Sequence, residues 1–308
     1  MVLILRALGL GDFLTGVPAY RGLRRAFPRA RLCLAAPETL RPLLPLTRSL
    51  DRLLPTPHLG ALTAPSGVVD VAVNLHGSGP QSIDQLLALS PGRLITHHHP
   101  ERPDVPGPSW ESGFHDVLRW SRLLDLEGIP VDVTDLPLSK PRGRSRIPDS
   151  IVIHPGAASP ARRWPAARFA EVARRLAPDG QVVITGTAAE RDLVRAVVRQ
   201  AGLEPSGDLS GSLDLGQLAA LVAAAQLVIS GDTGVAHLAT AFGTPSVVLF
   251  GPTPPELWGP PPGGPHTVLW HGSTGDPHGS EPDPGLLDIG VTEVVSAAQY
   301  RLARRKRA

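Results

Sequence analysis

A single cysteine, Cys33, rules out an internal disulfide and leaves nothing from which to build a thiolate zinc cluster. No apolar run approaches the ~20 residues a membrane-spanning helix needs. No signal peptide separates Met1 from the strand-like Val2-Leu3-Ile4-Leu5, so a soluble cytoplasmic protein is expected. Lysine is nearly missing: Lys140 and Lys306 are the only two among 30 basic residues. Positive charge is therefore carried by arginine, which reads as compositional bias and not as nucleic-acid binding. With a net charge of only +2, the overall balance demands no polyanionic partner. The last eight residues differ, since Arg301, Arg304, Arg305, Lys306 and Arg307 crowd there without an acid. Such a tail can touch an anionic membrane surface, but a solvated, frayed terminus is the expectation.

What is present is a globular composition, 42% hydrophobic and 19% charged, on a chain long enough for two domains. Short apolar runs at Val2–Leu5, Leu32–Ala35, Val68–Leu75 and Leu94–Thr96 alternate with helical patterns at Phe13–Ala26, Glu38–Leu46, Gln81–Leu89 and Phe114–Leu126. That alternation predicts a parallel sheet covered on both faces. From Pro130 to Ser150 the pattern loosens into a Pro- and Gly-punctuated linker, which puts the domains at 1–140 and 141–308. The pattern then restarts: strands at Ile151–Ile153 and Val182–Thr185, and helices at Pro165–Leu176, Ala188–Ala201 and Leu215–Ala225. Pro165 suits the first turn of its helix. A short strand at His266–Trp270 and a last helix from about Val291 close the chain.

The second half is organised around Gln226–Pro260. Leu227-Val228-Ile229 reads as a buried parallel strand and Val235–Phe242 as a packed helix, followed at once by a strand at Ser246–Phe250. Between strand and helix lies Gly231-Asp232-Thr233-Gly234. Glycines there let a ligand approach bare amides at a helix start, where unpaired N–H groups and the positive end of the dipole favour a phosphate or diphosphate. Asp232 suits sugar hydroxyls, and Thr233 offers a hydroxyl and an amide to the neighbouring phosphate. Together they suggest a sugar diphosphate. The plainer alternative is an ordinary turn with Asp232 or Thr233 as helix cap. His237 falls one helical turn past Thr233, near the ligand end, where a core histidine fits equally well.

The run from Ser230 to Pro260, SGDTGVAHLATAFGTPSVVLFGPTPPELWGP, resembles the signature of glycosyltransferase family 9, the ADP-heptose:lipopolysaccharide heptosyltransferase family. The resemblance implies an α/β protein of the GT-B fold: two Rossmann-like domains with parallel sheets facing a cleft. It gives the donor nucleotide-sugar to the C-terminal domain and the acceptor to the N-terminal one, and allows the terminal helix to pack back on the latter. Two more stretches carry it. In Gly9-Leu10-Gly11-Asp12, which follows the first strand, it makes Asp12 the catalytic base that removes the acceptor hydroxyl proton; on the residues alone, an aspartate opening a helix also reads as a cap. In His154–Pro165 the family places a basic residue, usually lysine, two positions before Trp-Pro. Here that is Arg162, with Arg163 as fallback and Ala157 and Ala158 in the same loop. An arginine keeps the charge and adds a planar fork for the diphosphate, although two surface arginines would look the same.

The implied activity is an inverting, metal-independent transfer of a sugar from ADP-heptose or a related ADP-sugar to a hydroxyl of a glycan or glycolipid, with no cofactor. Arg162, Thr233, Gly234 and Val235 would stabilise the leaving diphosphate, Asp232 would hold the donor sugar, with His237 beside it, and Gly11, His76 and Ser78 would meet the acceptor. His76 reads equally well as closing a turn. Two other classes stay open, a non-catalytic nucleotide-sugar binder and a GT-B sugar-nucleotide epimerase. A binder has no need of Asp12, and an epimerase needs acid–base groups that are not evident. A dinucleotide fold is disfavoured, because Leu14 stands where G-x-G-x-x-G needs its third glycine. Three clusters suggest metal ligands, namely His97–His99, His271 with Asp276 and His278, and Glu281 with Asp283. None has a readable ligand geometry, since consecutive histidines in an extended loop cannot all face one point.

Overall fold

The computed structural model describes residues 1–272 and 274–305. Two compact units divide the chain, Met1–Ser139 and Lys140–Ala308. In the first, β1 (Val2–Leu5), α1 (Leu10–Thr15), α2 (Val17–Ala26), β2 (Leu32–Ala36), α3 (Leu44–Thr47), β3 (Arg52–Pro55), β4 (Val71–Asn74), α4 (Gln81–Leu87), β5 (Arg93–Ile95) and α5 (Asp116–Leu126) follow one another. The sheet is wholly parallel in the order β3-β2-β1-β4-β5, with Leu5 level with Ala35 on one side and Asn74 on the other. β1, β2 and β4 are buried along their whole length, which is why they read as continuous apolar runs.

Two features depart from the expected pattern. The helix expected over Phe13–Ala26 starts at Leu10 and divides at Gly16 into α1 and α2. A Cβ at Gly16 would collide with the Tyr20 ring, so this glycine gives the tyrosine its place. The edge strand β3 went unread because it has only four residues, two of them exposed, and ends in a proline. Both its shortness and its proline belong to the edge of a sheet.

The second unit runs β6 (Ile151–His154), α6 (Ala166–Leu176), β7 (Val182–Ile184), α7 (Arg191–Ala201), α8 (Leu215–Ala224), β8 (Leu227–Gly231), α9 (Gly234–Phe242), β9 (Ser246–Leu249), α10 (Pro255–Trp258), β10 (His266–Leu269), α11 (Pro284–Asp288) and α12 (Val291–Arg305). Its parallel sheet has the order β10-β9-β8-β6-β7. Ile151, Ile153, Leu227 and Ile229 from the sheet pack with Trp164, Phe169, Val294 and Leu302 in one core. Trp164 meets Phe169 edge-on at 5.0 Å and donates its indole N–H to the Ile289 carbonyl at 3.1 Å. Pro165 caps α6 and does not lie in its first turn; its carbonyl accepts from Arg168 and Phe169, so its missing N–H still costs nothing.

α12 packs along α6, β8, β9 and β10. Its end is not frayed through Arg305: Arg301 donates to Thr267 Oγ1 at 2.7 Å and to the His266 carbonyl, Arg304 to the Tyr300 hydroxyl at 3.0 Å, and Arg305 to Asp149 at 2.8 Å. Lys306 and Arg307 lie outside the described residues. Among those residues no helix is long and apolar enough to cross a membrane. One local device has a measurable weight. Asp214 caps α8 by accepting from Gln217 N–H at 2.8 Å, and the Gln217 side chain answers at 2.9 Å. Asp214→Ala is expected to lower the unfolding free energy by about 1 kcal/mol, read from the denaturant midpoint.

Candidate functional site

In both sheets the order reverses beside the first strand. β1 lies between β2 and β4, and β6 between β7 and β8. Loops leaving such a pair part in opposite directions and open a crevice at the carboxyl ends of the strands, where open α/β sheets take ligands. Asp12 stands in the first turn of α1 after β1, His76 and Ser78 follow β4, and the segments after β6 and β8 carry Arg162, Arg163, Asp232 and Thr233.

In the second unit Asp232 is only 7% exposed. The Arg162 guanidinium donates to the Asp232 carbonyl at 3.4 Å and lies 3.9 Å from its carboxylate; His237 Nε2 is 4.0 Å from the other oxygen. His237 also stands edge-on to Trp258 at 6.0 Å, a neighbour that the sequence did not signal. Gly231 allows this closeness, because a Cβ there would sit 3.2 Å from the Arg162 carbonyl. Thr233 is the N-cap residue of α9, with extended backbone, yet its side chain makes no capping bond. Among the described residues, Thr233 Oγ1, Arg162 Nε and Ser230 Oγ are buried without a hydrogen-bond partner. A cap would have satisfied the threonine. Buried polar groups that the protein leaves unpaired carry an energetic penalty, which a polar ligand can relieve. Gly234 and Val235 contribute the first amides of α9.

Arg163 turns to the protein, donating from Nε to the Ala157 carbonyl at 2.9 Å; it braces the loop in which Ala157 is buried and Ala158 exposed. Ser159 continues that brace, accepting from Ala161 N–H at 3.3 Å. Glu190 was not foreseen. Its carboxylate occupies the space a Gly156 side chain would fill and closes a capping box with Thr187, which brings an acid to the carboxyl edge of β6 and β7.

In the first unit Asp12 is the third residue of α1, and Gly9 is the N-cap. The capping alternative for Asp12 therefore falls. Burial raises the Asp12 carboxyl above the usual aspartate range, Arg6 opposes this, and Asp116 adds to it. Neither Arg6 nor Asp116 was anticipated. Arg6 is buried at the end of β1, and Asp116 is buried at the start of α5. The one available signal was a charged residue directly after an apolar strand. The His76 amide donates to Asn74 Oδ1 at 3.1 Å, and Asn74 donates in turn to Ser82 and Thr96, each at 3.0 Å. The His76 ring is half-buried, with Nδ1 unpartnered among the described residues; burial first and Arg6 second depress its pKa, so it is neutral near pH 7. Gly11, beside Asp12 in α1, and Ser78, after β4, are half-buried.

The other histidines have structural surroundings. His97 packs edge-on to Trp110 and Trp120, and burial pushes its pKa down to about 4. His98 and His99 form bridges with Ser109 and Arg102. His271 pairs with Glu293 at 3.1 Å, the His278 amide donates to Asp276 at 2.8 Å, and Asp283 caps α11. Among the described residues no group of three or more His, Cys, Asp or Glu is arranged to hold a metal ion.

The sequence pattern of glycosyltransferase family 9 (heptosyltransferase) matches residues 132–276. Lipopolysaccharide heptosyltransferase 2 of Salmonella typhimurium is 26% identical over 302 residues, covering 84% of this chain and 85% of its own. Among solved structures, the E. coli ADP-heptose lipopolysaccharide heptosyltransferase II superposes with a TM-score of 0.79 at 22% identity, covering 99% of each chain. The iron-containing dodecameric glycosyltransferase TibC of enterotoxigenic E. coli reaches 0.63 at 18% identity, over 99% of this chain and 76% of its own. The fold is thus GT-B.

Proposed function

We propose that this chain is a glycosyltransferase of family 9 that transfers a heptose from an ADP-linked donor to a hydroxyl of a glycan or glycolipid, with inversion at the anomeric carbon. The observation that carries the donor side is the pair of buried, unsatisfied donors Thr233 Oγ1 and Arg162 Nε beside Asp232, at the open start of α9. A diphosphate satisfies both donors, gains the positive end of the helix dipole, and leaves the Asp232 carboxylate to accept from sugar hydroxyls. Gly234 and Val235 add amides, and Arg163 keeps Ala157 and Ala158 in place.

In the first unit Asp12 acts as base, with Gly11, His76 and Ser78 meeting the acceptor. The acceptor oxygen attacks the anomeric carbon from the face opposite the diphosphate, and the carbon–oxygen bond to the diphosphate breaks with its electron pair. The hydroxyl proton passes to Asp12. Negative charge grows on the leaving group, where Arg162 and the α9 amides meet it, so we assign this role to the protein and not to a divalent metal. Titrating a panel of ADP-, GDP- and UDP-sugars by calorimetry, with and without EDTA, tests this. The ADP-sugar is expected to bind most tightly and to survive EDTA. Binding or transfer that needs a metal ion would overturn metal independence, and donor hydrolysis or binding without any transfer across an acceptor panel would favour a binder.

A further inference from the structure

Arg6 is 1% exposed, and its guanidinium is spent in four directions. Nε donates to the Asp12 carbonyl at 2.5 Å, Nη1 to the Leu75 carbonyl, and Nη2 to Thr15 Oγ1 at 3.0 Å and to Asp116 Oδ2. Thr15 Oγ1 lies 3.0 Å from the Asp12 carbonyl and 2.6 Å from Asp116 Oδ2, and its one proton donates to either of these same two partners. The remaining Asp116 oxygen accepts from Trp120 Nε1 at 2.9 Å and from Arg119 at 3.1 Å, and the Trp120 ring lies 5.0 Å from the Arg6 guanidinium carbon. By contrast the Asp12 carboxylate is 3.8 Å from Arg6 Nη2. That is beyond hydrogen-bond length but well inside the range of a strong charge effect.

We propose that Arg6 is a positioning residue for Asp12, and that Asp116 holds the Arg6 fork so that it orients and charges the base without closing on it. The inference rests on Asp12 being the base. Seizing the Asp12 backbone carbonyl fixes the turn of α1 that carries the carboxylate. Engaging Asp116 directly keeps the guanidinium off the Asp12 oxygens, whose protein hydrogen bonds come instead from the Gly9 and Asp12 amides. A lysine could supply the charge but not the fork. The titratable and charged groups that act on Asp12 are Arg6 after β1, Asp116 on α5 and Tyr20 on α2, while His76 after β4 and Arg119 on α5 act on Arg6. His76 is neutral near pH 7, and burial raises the Tyr20 phenol, so the charge balance at Asp12 is set chiefly by Arg6 against Asp116.

Two substitutions then pull in opposite directions. Arg6→Gln removes a cation, so the acidic limb of the kcat/KM profile should move up by about 1–3 pH units, with most activity lost at neutral pH. Asp116→Asn keeps the acceptor for Trp120 but removes an anion and releases Arg6 toward Asp12. Its limb should move down, with a lower plateau because the base is now paired. Arg6→Lys should keep the limb near its wild-type position and lose kcat more than it changes KM. Carbon-13 NMR titration of the Asp12 carboxyl in the free protein reads the same shifts without turnover. Limbs and titrations that stay put, or move together in Arg6→Gln and Asp116→Asn, would overturn the proposal, and if Arg6→Gln fails to fold, Asp116→Asn and Arg6→Lys still decide it. Asp12→Asn run alongside separates the two ideas: if it retains transfer, the base assignment itself fails, whereas an inactive Asp12→Asn with an unmoved Arg6→Gln profile sinks only the role of Arg6.

Discussion

Asp12→Asn is expected to cut transfer by about 10²–10⁴, the usual cost of losing a general base, while donor affinity stays within a few-fold of wild type. Asparagine matches aspartate in size but cannot take a proton. The N-cap of α1 is Gly9, and the Asp12 side chain accepts backbone hydrogen bonds there from Gly9 and Asp12, which the asparagine amide oxygen can still accept. Folding should not suffer either. Burial raises the Asp12 carboxyl, so in the folded state the charged form is the costly one, and whatever stability this carboxyl contributes is present at low pH and fades as pH rises through its folded pKa. At neutral pH the neutral asparagine should therefore be at least as stable, and a thermal melt can verify that lost activity is not lost fold. The same raised pKa predicts an acidic limb in the wild-type rate profile above the ordinary aspartate value of about 3.9. Transfer within a few-fold of wild type, with an acceptor shown to be turned over, would remove Asp12 from the mechanism.

Arg162→Ala should weaken ADP-sugar binding by about 1.5–3 kcal/mol, roughly ten- to more than a hundredfold, the range for a hydrogen bond to a charged group. The geometry suggests the upper part of that range. Arg162 Nε is buried without a protein partner, and the same guanidinium donates to the Asp232 carbonyl, so truncation removes a ligand contact and loosens the neighbour proposed to hold the sugar. Arg162→Lys should fall between, keeping charge without the planar fork. Arg163→Ala is a useful contrast: its Nε is committed to the Ala157 carbonyl, so a smaller loss, through the loop and not the ligand, is expected. Calorimetric affinity unchanged in Arg162→Ala, or a larger loss in Arg163→Ala, would transfer the diphosphate contact to Arg163.

Local information sufficed for most of the architecture. Strands such as β1, β6 and β8 are short apolar runs bounded by turn residues, and burial on both faces of a parallel sheet makes that composition necessary. Asp12, Arg162, Asp232 and Thr233 were legible because each stands in the segment that leaves the carboxyl end of such a strand, where chain order alone predicts access to ligand. Strand order then decided what those loops share, by placing β1 against β4 and β6 against β8. Whether Asp12 or Thr233 was a mere cap was also a tertiary matter: Gly9 holds the one position, and the Thr233 hydroxyl, though at the other, makes no capping bond. Nor could any local pattern join Arg6 to Asp116, 110 positions apart, because a buried ion pair is chosen by the packing that excludes water from both partners, and that packing exists only once β1, α1 and α5 have come together.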